Sequence, residues 1–404
     1  MRPDEFYACI SRERLRTALA DVPTPCYLFF APIIAGQVME LRSRLGRRFN
    51  IHYAVKANPH PAILRLMRRF NLGADVASEY ELRAALEAGF EPLDIELSGP
   101  GKTQAELEYA IQTRIGAVNV ESLGELELLV NLSKRLGARP KVGLRVNPSV
   151  QGRSGLKMAG ATQFGLSEKD LERALERIRQ ETSVLDFVGL HLHLGSQILD
   201  IESILENFRI ALTLAWRVSQ GAERPLRKLN FGGGFGVTYF EGQQPLDLAA
   251  VGAGVESLLK EFLSSANGAP ELIVEPGRYL VAESGVYVTR VLYRKHTNGK
   301  EFAIVDGGMH HNYLLAGGMG QVVRRNFYFE VLPNEGAVER VAPYELNVAG
   351  RLCTPQDLLL QNARCSQTVR PGDYLVFFNC GAYGATASPI NFLSHPQPRE
   401  VLIE

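Results

Sequence analysis

In Ile51-His52-Tyr53-Ala54-Val55-Lys56-Ala57-Asn58-Pro59, the apolar, strand-like run Ile51–Val55 is closed by a lysine, with a proline three residues beyond. Seven further runs of this kind follow: Ala74–Ala77, Ile95–Leu97, Ala117–Val120, Val142–Val146, Val188–Leu192, Leu229–Phe231 and Leu272–Val274. Longer amphipathic stretches separate them. Ile201, Ile204, Leu205, Phe208, Ala211, Leu212 and Ala215, for instance, fall three and four residues apart and make one apolar helix face. Eight strands with intervening helices in roughly 230 residues fit a (β/α)8 barrel, whose usual span is about 250. A doubly wound open sheet is the competing arrangement.

The pattern changes after Glu283. Val286–Leu292, Glu301–Val305, Phe327–Leu332 and Tyr374–Phe378 are strand-like runs separated by turn residues, as in a β domain. Pro25–Phe30 is also strand-like and precedes the barrel. The expected organisation is therefore 1–35 as an N-terminal segment joining the β domain, 36–283 as the barrel and 284–404 as the C-terminal β domain. At 404 residues the chain exceeds a single core.

Composition narrows the class. Hydrophobic residues at 46% and charged residues at 22% describe a chain that folds to a full core. Lys plus Arg (44) balance Asp plus Glu (44), so no net field draws the chain to nucleic acid or an anionic membrane. The five cysteines are scattered and lack C-x-x-C pairing, which fits reduced thiols. The N-terminus, with Arg2, Asp4, Glu5, Arg12, Glu13, Arg14 and Arg16, offers no apolar run for a signal peptide, and no later stretch could span a bilayer. A cytoplasmic location is expected.

Chemistry in such a barrel sits at the C-terminal ends of the strands. The residues there are Lys56, Asp75, Glu121, Asn147, His193 with Ser196, Gly232–Gly234 and Glu275. A desolvated lysine at a strand end can lose its proton and attack an aldehyde. The run Asn230-Phe231-Gly232-Gly233-Gly234-Phe235-Gly236 lets backbone N–H groups close around a phosphate, although a tight turn alone would also use it. Glu275-Pro276-Gly277-Arg278 sets a carboxylate three residues before a guanidinium. His191 and His193, two apart on one strand face, raise a metal hydrolase as an alternative, with Asp75, Glu121 or Glu275 as the further ligand.

Taken together, Tyr53-Ala54-Val55-Lys56-Ala57-Asn58, His193-Leu194-Gly195-Ser196, Gly232-Gly233-Gly234-Phe235, Glu275-Pro276-Gly277-Arg278, Cys353 with Asp357, and Gly381-Ala382-Tyr383-Gly384 resemble the fold-type III decarboxylases that use pyridoxal 5'-phosphate (PLP). That family includes diaminopimelate, ornithine and arginine decarboxylases. The resemblance covers nearly the whole chain and implies an alanine-racemase-type barrel with a β domain, in a homodimer with shared active sites. It implies that Lys56 carries PLP as a Schiff base and that His193 stacks on its ring. Asp75 would support the ring and the lysine, and Glu275 would keep the pyridine nitrogen protonated, making the ring an electron sink. Ser196, Gly233, Gly234, Gly277, Arg278 and Tyr383 would surround the phosphate. Cys353 would cross from the partner subunit to reprotonate the substrate, and Arg278, Thr354, Asp357 and Tyr383 would line the substrate. No metal is implied. A racemase on the same barrel and a non-catalytic decoy are the remaining alternatives.

Three departures from the family pattern concern the substrate. Diaminopimelate decarboxylases usually carry Glu after the cysteine, and ornithine decarboxylases Asp, to hold a distal ammonium; this chain has Thr354. A neutral hydroxyl forgoes a charge-assisted hydrogen bond worth roughly 1.5–3 kcal/mol. In the diaminopimelate enzymes an Arg-Pro pair follows the Asp-x-Gly-Met motif and binds the distal carboxylate, but here Asp306-Gly307-Gly308-Met309-His310-His311-Asn312-Tyr313 runs on to Leu314 and Leu315. Asn391-Phe392-Leu393-Ser394-His395-Pro396 replaces their Tyr-Asn-x-Arg-Pro pattern. The two segments Asp306–His311 and Cys353–Asp357 resemble a subgroup from secondary-metabolite and exopolysaccharide clusters, one type of which decarboxylates glutamate held as a thioester on an acyl carrier protein. A tethered substrate has no free distal charge to clamp. Arg324 and Arg325, beside Gln321-Val322-Val323, are a candidate face for an acidic carrier. Free diaminopimelate, giving L-lysine, is the alternative substrate.

Overall fold

The computed structural model describes residues 1–149, 156–157, 160–220, 225–265, 269–319 and 324–404, and the chain divides into two compact units. One comprises Val38–Gly236 and Pro245–Gly277; the other comprises Met1–Gln37, Val237–Gln244 and Arg278–Glu404.

The first unit is a closed barrel of parallel strands. Around its circumference run Lys228–Asn230, Glu271–Val274, Phe49–Ala54, Gly73–Val76, Ile95–Leu97, Ala117–Val120, Lys141–Arg145 and Asp186–His191, the last pairing back with the first. All eight expected strands are present within two residues of their predicted ends, and closure excludes the open sheet. Helix starts follow local chemistry. Ser78, Ser122 and Ser167 each accept the N–H of the third helical residue at the head of Glu79–Glu87, Leu123–Leu136 and Glu168–Gln180. Thr103 and Glu106 form a reciprocal capping box on Gln104–Thr113.

Polar side chains fill part of the barrel, and glycine makes room for them. A Cβ at Gly73 would stand 2.4 Å from the His52 ring, and one at Gly143 would stand 2.2 Å from Asn119 Oδ1. These strand glycines give up conformational entropy for the space a buried polar group needs.

In the second unit, Cys26–Phe30 lies between two strands that are distant in sequence. It pairs antiparallel with Gly285–Thr297 and parallel with Arg399–Ile403. From Gly285–Thr297 the sheet continues to Tyr374–Phe377 and Phe329–Leu332 on one side, and to Lys300–Val305, Arg340–Ala349 and Leu358–Gln367 on the other. Two N-terminal helices, Pro3–Cys9 and Arg12–Asp21, cover it. They bring Phe6, Ile10, Leu15 and Leu19 into one core with Leu28, Phe30, Val286, Val376 and Phe378. Phe6 meets Phe30 and Phe378 edge to face at 5.4 and 5.3 Å. The sequence reading missed both helices, whose charged residues conceal a short apolar stripe. No helix among the described residues is long and apolar enough to cross a membrane.

Phe6 is fully buried, so Phe6→Ala should cost about 3–5 kcal/mol of stability in this unit. Urea unfolding followed by circular dichroism, with limited proteolysis of the N-terminus, checks this. An unchanged midpoint would mean that the N-terminal helices add nothing to the core.

Candidate active site

Because all barrel strands are parallel, their C-terminal ends share one rim. Lys56 lies in the short helical turn Val55–Ala57 directly after its strand, and its Nζ stands 2.6 Å from Asp75 Oδ2 on the neighbouring strand. Asp75 is buried, and its other oxygen has no hydrogen-bond partner among the described residues. Burial, and then the charge of Glu275, raise its pKa; the Lys56 ammonium pulls it back.

Glu275, also buried, follows the eighth barrel strand. Asn230 Nδ2 donates to its Oε1 at 2.6 Å, and His191 Nε2 lies 3.1 Å from its Oε2. Burial would raise this pKa, but the hydrogen bond with His191 and the Lys56 ammonium outweigh it and hold the carboxyl far below the usual range. Glu275 is therefore a fixed negative charge at the rim. His193 is the reverse case. Burial first, then the positive charges of Lys56 and Arg145, keep it neutral, with Nδ1 accepting the Gly233 N–H at 3.0 Å.

The glycine turn is packed too closely for any side chain. A Cβ at Gly232 would stand 2.5 Å from the Leu192 carbonyl oxygen, and one at Gly233 would stand 2.3 Å from that of Glu275. Gly232 and Gly234 hold φ of +67° and +114°, which favours glycine. Ile198 N–H donates to the Gly234 carbonyl, and Gly236 N–H donates to that of Ile198, so the turn is tied to the segment carrying Ser196. Gly277 is equally confined, a Cβ there meeting the Ala57 and Ala54 methyls at 2.9 and 3.0 Å.

Other rim residues expected from sequence serve the scaffold. Glu121 takes the Arg145 guanidinium at 2.8 Å and the N–H groups of Gly99 and Gly165. Asn147 holds the carbonyls of Gly160 and Phe164 and the Gly160 N–H. His191 and His193 do not converge as metal ligands, since His191 Nε2 lies on Glu275 and His193 Nδ1 accepts from Gly233. Arg145, buried and 4.8 Å from the Phe164 ring centroid, was missed; the signal was a cation ending an otherwise apolar strand.

In the β unit, Arg278 Nη1 donates to the Tyr239 hydroxyl at 2.9 Å, and its guanidinium carbon lies 4.6 Å from the Tyr383 ring centroid. Cys353 is exposed on the loop from Gly350 to Asp357. Asp357, expected among the substrate contacts, is buried instead. Its Oδ1 accepts the Met309 N–H at 2.6 Å and its Oδ2 the Leu352 N–H at 2.8 Å. It ties the 306–309 turn to the loop that presents Cys353 and Thr354. Arg324 is directed inward onto the Leu358 carbonyl, and Arg325 lies 5.9 Å from the Phe240 ring centroid. Gln321–Val323 lies outside the described residues.

A Schiff-base-competent lysine, a fixed carboxylate and a glycine turn on the rim of a parallel barrel define a carbonyl-cofactor enzyme. Residues 33–282 match the sequence model of the pyridoxal-dependent decarboxylase, pyridoxal binding domain. The chain is 36% identical to the L-glutamyl-[BtrI acyl-carrier protein] decarboxylase of Niallia circulans, over 94% of this chain and 88% of that one. It is 31% identical to the diaminopimelate decarboxylase of Zymomonas mobilis, over 98% and 91%. The crystal structure of the Helicobacter pylori diaminopimelate decarboxylase complexed with L-lysine superposes with a TM-score of 0.86 at 29% identity, covering 96% and 94%. The chain belongs to the PLP-dependent decarboxylases, which are carboxy-lyases acting on amino acids.

The barrel residues fit PLP. Lys56 would supply the amine, Glu275 would be an anion suited to a protonated pyridine nitrogen, and Gly232–Gly234 is a surface that any Cβ would obstruct. Lys56→Ala should abolish the visible absorbance of protein reconstituted with PLP, read by spectrophotometry after gel filtration. Retention of the band would remove Lys56 from that role.

Two β-unit histidines give a pH prediction. His310 and His311 are buried, and His311 Nε2 donates to the Pro396 carbonyl while Nδ1 faces the Tyr287 hydroxyl. Burial, and for His310 also the neighbouring His311, lowers their pKa values to about 3 and about 4. Unfolding restores ordinary values near 6.5, so the unfolded chain binds more protons below that pH. Stability should fall as pH drops from about 6.5 toward 4. In thermal melts His310→Leu should flatten this slope, and an unchanged slope would mean His310 is not held neutral.

Proposed function

We propose that this enzyme removes the α-carboxylate of an amino acid held as a thioester on an acyl carrier protein, with a glutamyl group as the first candidate. One observation carries the proposal. The loop beside Cys353 presents the neutral hydroxyl of Thr354, and Leu314 and Leu315 follow the Asp306–Tyr313 segment where a free diamino acid would need an arginine for its distal carboxylate. The 36% identity to a carrier-protein-linked glutamate decarboxylase supports it. Free diaminopimelate is the second reading, favoured by the 31% identity to diaminopimelate decarboxylases over nearly the full chain.

Bound PLP supplies an electron sink for the pair released as CO2 leaves. Lys56 would hold the cofactor through its amine, with Asp75, 2.6 Å from Nζ, stabilising its ammonium. Glu275 would favour a proton on the pyridine nitrogen. His193, neutral, would take the ring face without adding charge, while Ser196, Gly233, Gly234, Gly277, Arg278 and Tyr383 are assigned to the phosphate. Arg278 and Tyr383 are also assigned to substrate, beside Thr354. Cys353 returns a proton to Cα, so the substrate exchanges CO2 for H⁺. It does so across a homodimer, its exposed thiol reaching the partner's site.

The test is CO2 release from free meso-diaminopimelate, lysine, ornithine, arginine and glutamate beside glutamyl and related thioesters on a carrier protein. Turnover confined to loaded carriers is expected. Efficient turnover of free diaminopimelate would overturn the tethered reading. With the true substrate, Cys353→Ala should lower kcat by about 10²–10⁴-fold, the usual contribution of a positioned proton donor.

A further inference from the structure

Four polar side chains occupy the barrel interior without a role in the chemistry above. Glu96 and Asn119 come from adjacent strands, Ile95–Leu97 and Ala117–Val120. Lys228 and Asn230 begin and end Lys228–Asn230, four places around the closed order from the Glu96 strand. Strands that far apart meet only across the lumen, so these contacts are made inside the barrel.

They form one chain. Lys228 Nζ lies 3.0 Å from Glu96 Oε1. Glu96 Oε2 accepts from Asn119 Nδ2 at 3.1 Å and from Asn230 Nδ2 at 2.9 Å. Asn230 Nδ2 also donates to Glu275 Oε1 at 2.6 Å, and its Oδ1 accepts the Gly232 N–H at 2.9 Å. Glu96, Asn119, Asn230 and Glu275 are each no more than 3% exposed.

The donor inventory leaves Asn230 one orientation. Two carboxylate oxygens face one end of its amide and an N–H faces the other, so the NH2 must point to the carboxylates, one hydrogen to each. An aspartate would have none to give and would stand within hydrogen-bond distance of two other anions. The same amide therefore holds both Glu275 and the first residue of the glycine turn.

We propose that Asn230 is a positioning residue that fixes the Glu275 carboxylate and the Gly232–Gly234 turn as one unit, and that Glu96, anchored by Lys228, sets its orientation from inside the barrel. This rests on reading Glu275 and the glycine turn as PLP contacts. It gives the partly buried Lys228–Glu96 pair a function at a distance: neither residue touches the cofactor groups, yet both determine how Glu275 is held.

The experiment is a double-mutant cycle on PLP affinity, measured by equilibrium dialysis, with a pH titration of the visible absorption band. Glu96→Gln should weaken PLP binding by about tenfold, the effect of one lost charge-assisted hydrogen bond, and shift the pH midpoint of the band. In an Asn230→Ala background the same change should alter affinity less than about twofold, because the link through which it acts is gone. An equal effect in both backgrounds, or none in either, would overturn the proposal. Far-UV circular dichroism of the apoproteins identifies variants that fail to fold, and Asn230→Ser replaces Asn230→Ala in that case. If the unmodified protein itself binds no PLP, the cofactor reading fails, which is a different result.

Discussion

A carboxylate buried at the end of a barrel strand must be compensated or it will take up a proton, and Glu275 is compensated on both oxygens. His191 lies against one and Asn230 against the other, with the Lys56 ammonium adding to the field. Removing a carboxylate from water costs several kcal/mol even after relaxation, and only hydrogen bonds and nearby positive charge offset it. The rest of the rim follows from this. Asp75, close enough to feel Glu275 as a like charge, is drawn the opposite way and depends on Lys56 for its balance. The two carboxylates are thus shifted in opposite directions, and the Lys56 ammonium lowers both.

Backbone proximity is the second constraint. The turn at Gly232–Gly234 packs against the carbonyls of Leu192, Gly195 and Glu275 at distances no Cβ tolerates. Its N–H groups serve different partners: Gly232 donates to Asn230 and Gly233 to His193. Glycine here does more than permit a turn. It lets three strand ends approach so closely that the imidazole, the carboxylate and the turn hold one another in place, which is the preorganisation a cofactor site needs.

In the β unit the corresponding element is Asp357. Both of its oxygens are satisfied by backbone amides from segments some 40 residues apart in sequence, so the loop with Cys353 and Thr354 is braced at its base and exposed at its tip. The same unit contains His310 and His311, neutral through burial rather than through ion pairing.

The sequence by itself determined the class of the protein. Strand spacing located every barrel strand, because buried parallel strands read as short apolar runs bounded by turn residues. Lys56, His193, Gly232–Gly234 and Glu275 stood out because they interrupt those runs at their C-terminal ends. Tertiary structure alone decided which polar residues cooperate. Glu96 sits between two apolar neighbours, and Lys228 precedes a short apolar run; neither shows in sequence that the two meet across the lumen, 132 positions apart. Asp357 drew attention because its motif carries the cysteine, but that its oxygens accept the Met309 and Leu352 amides is visible only in the fold. Asn147 and Glu121 likewise read as rim chemistry and proved to be loop supports. Periodicity and turn residues are local and leave their mark on the chain, whereas hydrogen-bond partnership inside a barrel depends on closure, which brings together residues whose spacing carries no signal.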